Sequence, residues 1–235
     1  MDNLDYQIDN IGNMYMLVKV FHDESNKDKI SKDNLEPNYH IELFTIKSGG
    51  DKIETTKFKI ENKFINKLKL YYTKKGHLVC GGFYSNGKDL KRAKLLAQTT
   101  SNNEDCDGII VFKINSAGVI YDTYSHEIPL EVINAYEVPK TKEKNKLKEI
   151  KEDNAKMKYL EFRDIDVLDD ESIVVIGEQN YNVTSGGGMN TMASNVFGNI
   201  LICKIDSKGD SSWMHTTSTS HIVVLFSNYH NTFVI

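Results

Sequence analysis

Cysteine is scarce in this sequence of 235 residues, and the scarcity excludes two kinds of small domain. The three cysteines are odd in number and have no CxxC spacing, so neither a disulfide framework nor a zinc knuckle is predicted. Cys80 and Cys203 lie in apolar runs and are predicted to be small buried side chains. Cys106 lies in a polar stretch, so we expect it to be the more exposed thiol.

An excess of positive charge is also absent. Lys and Arg number 29 against 33 Asp and Glu, which gives a formal net charge of -4. A nucleic-acid binder usually carries a basic surface, so no nucleic-acid partner is expected. No apolar run approaches the roughly 18 residues that a membrane span needs. The first residues, MDNLDYQIDN, lack the basic and apolar regions of a signal peptide, so we expect neither a span nor an export signal in this chain.

What the sequence does contain is a phrase of nine residues that occurs three times. The copies are LFTIKSGGD (43–51), VFKINSAGV (111–119) and ICKIDSKGD (202–210). They place a glycine at one equivalent position, as Gly50, Gly118 and Gly209. A tight turn between two strands commonly needs a residue with positive φ, which glycine supplies without a Cβ clash. The three copies are therefore predicted to be hairpins.

The residue three positions before each glycine is predicted to begin the turn. Asn115 and Asp206 can accept hydrogen bonds from nearby backbone amides there, whereas Lys47 at the equivalent position cannot. We therefore expect the first turn to be held differently from the other two.

A second repeated phrase precedes each of these hairpins, at 6–20, 70–84 and 165–179. It has the pattern of a short strand, a polar turn at Gly12, Gly76 or Glu171, and an apolar run rich in β-branched residues. Together the phrases predict three units of four strands within one domain over 6–217. The units span about 6–60, 68–128 and 162–217, and residues 218–235 form either a tail or the start of a further strand.

The loops between the second and third strands of each unit are long. Loops grouped on one side of a repeat array commonly carry binding surfaces, although tolerated surface insertions would give the same pattern. Between the second and third units, residues 140–159 predict a short charged helix on the rim of the array, with Leu147, Ile150 and Met157 on its apolar face. A solvated charged linker is the alternative. Residues 88–98 predict another short helix.

Three segments resemble a group of uncharacterised bacterial β-propeller-like repeat proteins: KKGHLVCGGFYSNG, DGIIVFKINSAGVI and GNILICKIDSKGDSSW. The resemblance implies an all-β fold, a propeller-like array of about three four-stranded antiparallel blades. Closed propellers have typically four to eight blades, so the array is expected to be open or incomplete, with possible self-association through its open edges. A longer propeller, closure by dimerisation and a sheet that does not close are the alternatives. The resemblance also implies an extracytoplasmic location.

No segment of the sequence has the pattern of a known catalytic, cofactor or metal site. GxxxxGK[ST], HExxH and GxSxG are missing, and the glycine-rich segment 184–190 predicts a flexible loop. The acidic segment RDIDVLDDES (163–172) predicts a solvated hairpin turn rather than a calcium loop. His77, His126 and His215 are assigned to strand ends. Trp213 is predicted to pack at a blade edge, with ligand stacking as the alternative.

Three functions remain compatible with these patterns. The first is a non-catalytic binding module that recognises a protein or a glycan through its inter-strand loops, without a cofactor. The second is a hydrolase or lyase whose site lies where the blades converge. The third is a fragment of a longer protein without independent function.

Overall fold

The computed structural model is built mainly from β-strands. It describes residues 1–23, 36–60, 63–86, 105–151, 155–185, 192–218, 221–225 and 233–234. The strands form three antiparallel sheets, and each sheet is assembled from strands that are consecutive in the chain. The all-β class predicted from the sequence is confirmed.

The first sheet consists of β1 (Asp2–Ile8), β2 (Met14–Phe21), β3 (Tyr39–Ile46) and β4 (Ile53–Lys57), paired in chain order. Along β3, buried and half-buried residues alternate strictly. This alternation shows that one face of the sheet is covered and the other is open, since successive side chains of a strand point to opposite faces.

The middle sheet consists of β5 (Phe64–Tyr72), β6 (Leu78–Ser85), β7 (Gly108–Ile114) and β8 (Ile120–Glu127), again in chain order. Every residue of β6 and of β7 is buried. The nearly continuous apolar runs of these strands had predicted this, because a strand covered on both faces needs no alternation. Its outer strand β8 is largely exposed.

The third sheet begins with β9 (Leu160–Val167), β10 (Ile173–Ser185), β11 (Met192–Ile205) and β12 (Ser211–Thr217). β10 and β11 have 13 and 14 residues and remain paired well beyond β9 and β12. We call this projecting hairpin the arm; it runs from the pair formed by Asn180 and Phe197 to the pair formed by Ser185 and Met192. The segment was predicted to be a loop, but its β-branched and aromatic residues pair as strands.

Two strands of the C-terminal segment join the third sheet. β13 (His221–Leu225) pairs with the β11 side of the arm, and β14 (Phe233–Val234) pairs with β13. Residues 218–235 therefore contribute further strands, which widen the third sheet where β12 has ended.

Two turns of the nine-residue phrase contain the predicted hydrogen bonds from backbone amides to a polar side chain. Asn115 Oδ1 accepts hydrogen bonds from the amides of Ala117 and Val119, both at 3.0 Å. Asp206 Oδ1 accepts equivalent bonds from the amides of Lys208 and Asp210, both at 2.9 Å. The prediction for these two turns is confirmed.

The glycine prediction is correct for two turns and wrong for one. Gly118 and Gly209 have φ values of 77° and 96°, but in the first sheet the positive φ of 70° belongs to Gly49 and not to Gly50. The amide of Gly50 still donates to the Lys47 carbonyl at 2.9 Å. Positive φ at the third turn residue is typical of a type II turn, so the first copy uses a different turn.

Two helices follow the middle sheet, α1 (Leu130–Ile133) and α2 (Pro139–Ile150). The helix predicted over 140–159 is correct only as far as Ile150. Leu147 and Ile150 are 52% and 78% exposed and α2 buries no residue, so the predicted apolar face is wrong. Met157 is buried, but it lies outside the helix, in a β-bridge to Cys106. The helix predicted over 88–98 lies outside the described residues.

All three cysteines are buried. Cys80 and Cys203 are fully buried, as predicted, whereas the prediction of an exposed Cys106 is wrong, since only 1% of it is exposed. The bridge to Met157 covers Cys106, and its Sγ lies 3.4 Å from the Gly108 carbonyl. Burial raises the pKa of each thiol above its ordinary value.

The middle sheet is packed between the other two, and two apolar clusters separate the three sheets. One cluster joins the first sheet to the middle sheet through residues such as Leu17, Leu43 and Phe112. The other cluster joins the opposite face of the middle sheet to the third sheet, through Val111, Ile165 and others. Contacts between neighbouring sheets concentrate on the first strands, β1 with β5 and β5 with β9. No sheet formed by the described strands closes on itself, and the propeller arrangement stays a prediction.

Candidate functional site

A cleft of about 510 Å³ lies between α2 and the base of the arm. It combines the segment that connects the middle and third sheets with residues of β10 and β11 at the base of the arm. The lining residues are Ile133, Glu137, Thr141, Lys144, Asn145, Lys148, Lys156, Met157, Lys158, Tyr159, Gln179, Tyr181, Val196, Phe197, Gly198, Asn199 and Ser218.

One face of α2 forms the first wall of the cleft. The helix begins at Pro139, a residue whose fixed φ suits the first helical position. Thr141, Lys144 and Lys148 follow at helical spacing and therefore line the cleft together. The Nδ2 of Asn145 donates to Asn134 Oδ1 at 2.8 Å, which fastens this face of the helix to the end of α1.

Aromatic rings form the opposite wall. The rings of Tyr159 and Tyr181 lie with their centroids 5.2 Å apart and their planes inclined by 34°. Tyr159 has a φ of 58°, an uncommon value for a residue with a Cβ, and its carbonyl accepts from the amide of Asn180 at 2.8 Å. Phe197 pairs across the arm with Asn180 and not with Tyr181, so its side chain lies on the other face of the arm, with the guanidinium of Arg163 5.8 Å from its ring centroid. The aromatic wall of the cleft therefore consists of the two tyrosines.

Amide side chains fix the base of the arm. Gln179 Nε2 donates to the Lys158 carbonyl at 2.9 Å, and Gln179 Oε1 accepts from the amide of Asn199 at 3.3 Å. One side chain thus joins both arm strands to the segment before β9. This contact fixes the base of the arm against the segment that carries Tyr159.

A buried ion pair lies at the floor. Lys156 Nζ is 3.9 Å from Asp107 Oδ2, and both side chains are only 3% exposed. The same carboxylate oxygen accepts hydrogen bonds from Ser85 Oγ at 3.1 Å and from the amide of Asn86 at 2.8 Å. Charges this deep need such partners to compensate for their desolvation, so we assign the pair a structural role beneath the cleft.

The described lining is strongly cationic although the chain as a whole is acidic. Lys144, Lys148 and Lys158 line the cleft, whereas the charge of Lys156 is balanced by Asp107 beneath it, and Glu137 is the single acidic residue among the described lining residues. A concave surface lined by one sign of charge focuses the field and raises the local concentration of ions of opposite sign. The cleft is therefore suited to an anionic ligand.

The histidines singled out in the sequence lie elsewhere. His77 Nδ1 is 3.0 Å from Thr73 Oγ1 in the turn between β5 and β6, and His126 Nε2 is 2.8 Å from the Gly209 carbonyl. His215 stacks with Trp213, with ring centroids 5.6 Å apart. Trp213 is 40% exposed, so its predicted packing at the sheet edge is only partial.

A histidine pair that the sequence reasoning missed lies at the end of the β2 and β3 hairpin. His22 Nε2 is 3.0 Å from His40 Nδ1, and His40 Nε2 is 2.8 Å from Glu42 Oε1. Partial desolvation lowers the pKa of His22, and the nearby His40 and Lys57 lower it further. The strand register brings these residues together across 18 positions of sequence, so counting outwards from the predicted hairpin could have found them.

The acidic segment near 163–172 forms ion pairs between sheets. Asp169 pairs with Lys74 at 2.9 Å and Glu171 pairs with Lys75 at 2.8 Å. Within the described ranges, no group of three or more His, Cys, Asp or Glu side chains is placed to hold a metal ion. The glycine-rich segment 184–190 lies largely outside the described residues.

Polar side chains at the first strands bond to the neighbouring sheet. Asp5 Oδ2 accepts from the amide of Leu70 at 2.7 Å, and Lys69 Nζ donates to the Arg163 carbonyl at 2.7 Å. Lys69 also lies 3.6 Å from Asp164 Oδ1. These groups hold the three sheets together at their first strands.

No protein-family model matches the chain, and no curated protein matches its sequence. The resemblance to propeller-like repeat proteins therefore remains a prediction. In the part of the chain that the structure describes, no helix has the length and apolar character to cross a membrane.

Proposed function

We propose that this chain is a non-catalytic recognition module, and that the cleft between α2 and the arm binds an acidic glycan. The observation that carries the proposal is the composition of the cleft, which opposes a wall of lysines to a wall of tyrosines. The sequence left a protein and a glycan open as partners, and the chemistry of the two walls favours the glycan.

The lysine wall would recognise carboxylate or sulfate groups. Lys144 is exposed and Lys148 is half-buried on the cleft face of α2, so both ammonium groups can approach a bound anion. Flexible ammonium groups act as point charges and tolerate several geometries of an anion. Binding through them should weaken as salt concentration rises.

The tyrosine wall would hold sugar rings. The face of an aromatic ring is electronegative and attracts the electropositive hydrogens of an apolar surface such as a sugar face. Tyr159 and Tyr181 are each 36% exposed, which leaves their faces accessible. The amide side chains of Asn145, on α2, and Gln179, at the base of the arm, also line the cleft, and amides can bond hydroxyl groups.

The same lining argues against hydrolysis in the cleft. Among its described residues there is no histidine or cysteine, and Glu137 is the single carboxylate. A nucleophile with an adjacent base, or a pair of carboxylates, would be needed for hydrolysis of a glycan. The cleft offers charge and flat surface for binding but no such pair.

The test is titration calorimetry with an oligouronate and with a neutral oligosaccharide of equal length. We expect the oligouronate alone to bind, and the Lys144→Gln and Lys148→Gln double variant to weaken it about tenfold or more. The matched control is the Lys142→Gln and Lys146→Gln double variant, which removes the same charge from α2 outside the cleft lining and should keep the affinity.

Three results would contradict the proposal. Equal losses in the two double variants would show attraction by overall charge and not by the cleft. Binding of an acidic peptide without binding of the oligouronate would assign a protein partner. A Tyr181→Ala variant that keeps full affinity, with Tyr121→Ala as the exposed control, would exclude stacking on the tyrosine wall.

A further inference from the structure

At both contacts between neighbouring sheets, a lysine of one sheet donates to the carbonyl of a turn serine of the next sheet. Ser48, Ser116 and Ser207 occupy one equivalent position in the nine-residue phrase. Lys47 Nζ, from the first sheet, donates to the Ser116 carbonyl at 2.8 Å. Lys113 Nζ, from the middle sheet, donates to the Ser207 carbonyl at 2.8 Å. Ser116 and Ser207 each receive a lysine from the preceding sheet, although the two donors lie two positions apart in the phrase, since Lys47 aligns with Asn115 and Lys113 aligns with Thr45.

One donor and one acceptor of this series have no neighbouring sheet among the described strands. Lys204 is the equivalent of Lys113 on the third sheet, where it is partly exposed and lies 3.5 Å from Asp170 Oδ2. Ser48 is the equivalent acceptor on the first sheet, which no described sheet precedes. A Cβ added at the adjacent Gly49 would meet no atom within 4 Å, so this turn is open to a partner.

The first sheet carries an open apolar face, which we call the front face: Met14, Met16, Phe44 and Ile46, with Tyr6 and Ile8 beside them. These four central residues are half-buried and belong to neither apolar cluster, while Tyr6 and Ile8 are 61% and 59% exposed. The equivalents of Met14, Met16, Phe44 and Ile46 in the middle sheet are all fully buried against the first sheet: Leu78, Cys80, Phe112 and Ile114.

The third sheet carries the complementary open face, which we call the back face: Val174, Ile176, Ile200 and Ile202. All four are half-buried and lie outside both clusters. Val174 and Ile202 correspond to Val79 and Val111 of the middle sheet, which are fully buried against the third sheet. A front-type face therefore meets a back-type face at both internal contacts of the chain.

We infer that the front face of one copy of this chain packs on the back face of a second copy, with Lys204 of each reaching the Ser48 carbonyl of the other. A second copy is the occupant because it carries the face that each open face meets inside the chain. Two copies joined in this way would have two identical contacts and six sheets. Six lies within the range of four to eight blades that close into a propeller.

The test is the molar mass of the purified chain by light scattering, with one charge placed on each face. We expect a dimer for the unmodified chain, and a dissociation constant about a hundredfold higher or more for Met16→Lys and for Ile202→Lys alone. The two variants mixed should form a heterodimer, because one retains its back face and the other its front face. Ile150→Lys, which changes an exposed residue of α2, is the matched control and should remain a dimer.

Each other outcome contradicts the inference. A monomeric unmodified chain would exclude the contact, and a filament or a larger ring would exclude closure by two copies. If the mixture of Met16→Lys and Ile202→Lys stays monomeric, an intact front face and an intact back face do not pair. If only one of the two variants loses the dimer, like faces and not unlike faces meet. Each variant should also melt cooperatively, at the melting temperature that the unmodified chain has when it is diluted to the monomer. Such melting shows that a lower molar mass does not come from unfolding.

Discussion

The middle sheet and the first sheet are built from the same two phrases but differ in what covers them. Phe112 in the middle sheet is fully buried and meets Phe58 of the first unit edge to face at 4.7 Å. Phe44, at the equivalent position of the first sheet, is half-buried and has no cluster around it. Phenylalanine at the equivalent position of the phrase thus belongs to a core in one sheet and to a surface in the other. Burial in this fold is decided by the neighbouring sheet and not by the phrase.

Close packing on both faces of the middle sheet requires glycine at particular strand positions. Gly81 occupies the position that Leu17 has in the first sheet, and a Cβ at Gly81 would lie only 2.6 Å from Ile165 Cδ1. Gly177 of the third sheet is equally crowded, since a Cβ added there would lie 2.5 Å from the ring of Phe83. The contact between the middle and third sheets needs these two small residues.

The largest expected effect comes from truncating the equivalent phenylalanines. Phe112→Ala should cost about 3 to 5 kcal/mol of unfolding free energy, because it leaves a cavity in a closed core. Phe44→Ala should cost about 1 kcal/mol or less when measured on the monomer, because water already reaches that face. Urea unfolding of the two variants at low protein concentration measures both values. Equal losses would mean that the first sheet is as well covered as the middle one.

The next effect in size comes from the turn glycines. Gly209→Ala should cost about 2 to 4 kcal/mol, since it strains a residue with positive φ and places a methyl group against the ring of Tyr124. Gly49→Ala has the same backbone strain but open space around it, so about 1 kcal/mol is expected. Thermal unfolding of the two variants separates the effect of backbone strain from the effect of the steric clash with Tyr124. A Gly49 variant that is as unstable as the Gly209 variant would reveal a neighbour at the first turn.

The smallest effect is the pH dependence that His77 adds to the middle sheet. Burial lowers the pKa of His77, Lys113 and Lys75 lower it further, and Glu171 opposes them. The unfolded chain therefore binds a proton more readily, so stability is present above about pH 6.5 and falls as the pH drops through the lowered pKa. His77→Asn introduces the residue that the first sheet has at the equivalent position, Asn13. It should reduce the loss of unfolding free energy between about pH 7.5 and pH 5.5. An unchanged slope would assign the pH dependence to other groups.

Sequence periodicity was sufficient to predict most of the strands and most of the turns between them. The apolar runs of β6 and β7 predicted strands covered on both faces, and Asn115 and Asp206 predicted the bonds of their turns. The prediction for Gly50 was wrong because Lys47 offers no side-chain acceptor, so that turn closes with positive φ at Gly49 instead. Cys106 was placed at the surface from its polar neighbours, although a bridge to Met157, far along the chain, buries it.

The cleft could not be predicted from the sequence, because its walls come from separate segments. The four-residue spacing of Lys144 and Lys148 is compatible with one helical face, but nothing local shows that this face meets the arm. The sequence predicts a loop where the arm forms, so it does not bring Tyr159 and Tyr181 together. The open faces were equally hidden, since strand patterns show which side is apolar but not which sheet covers it.

The most direct test of the difference between the sheets is the reactivity of one introduced thiol. Met16→Cys places a cysteine on the front face at the position equivalent to Cys80, and the three native thiols are buried with raised pKa values. We predict that a thiol reagent modifies only the new cysteine at low protein concentration, and that the rate falls as the concentration rises and a second copy covers the face. A rate that does not change with concentration, or a new thiol as unreactive as Cys80 at every dilution, would contradict this account.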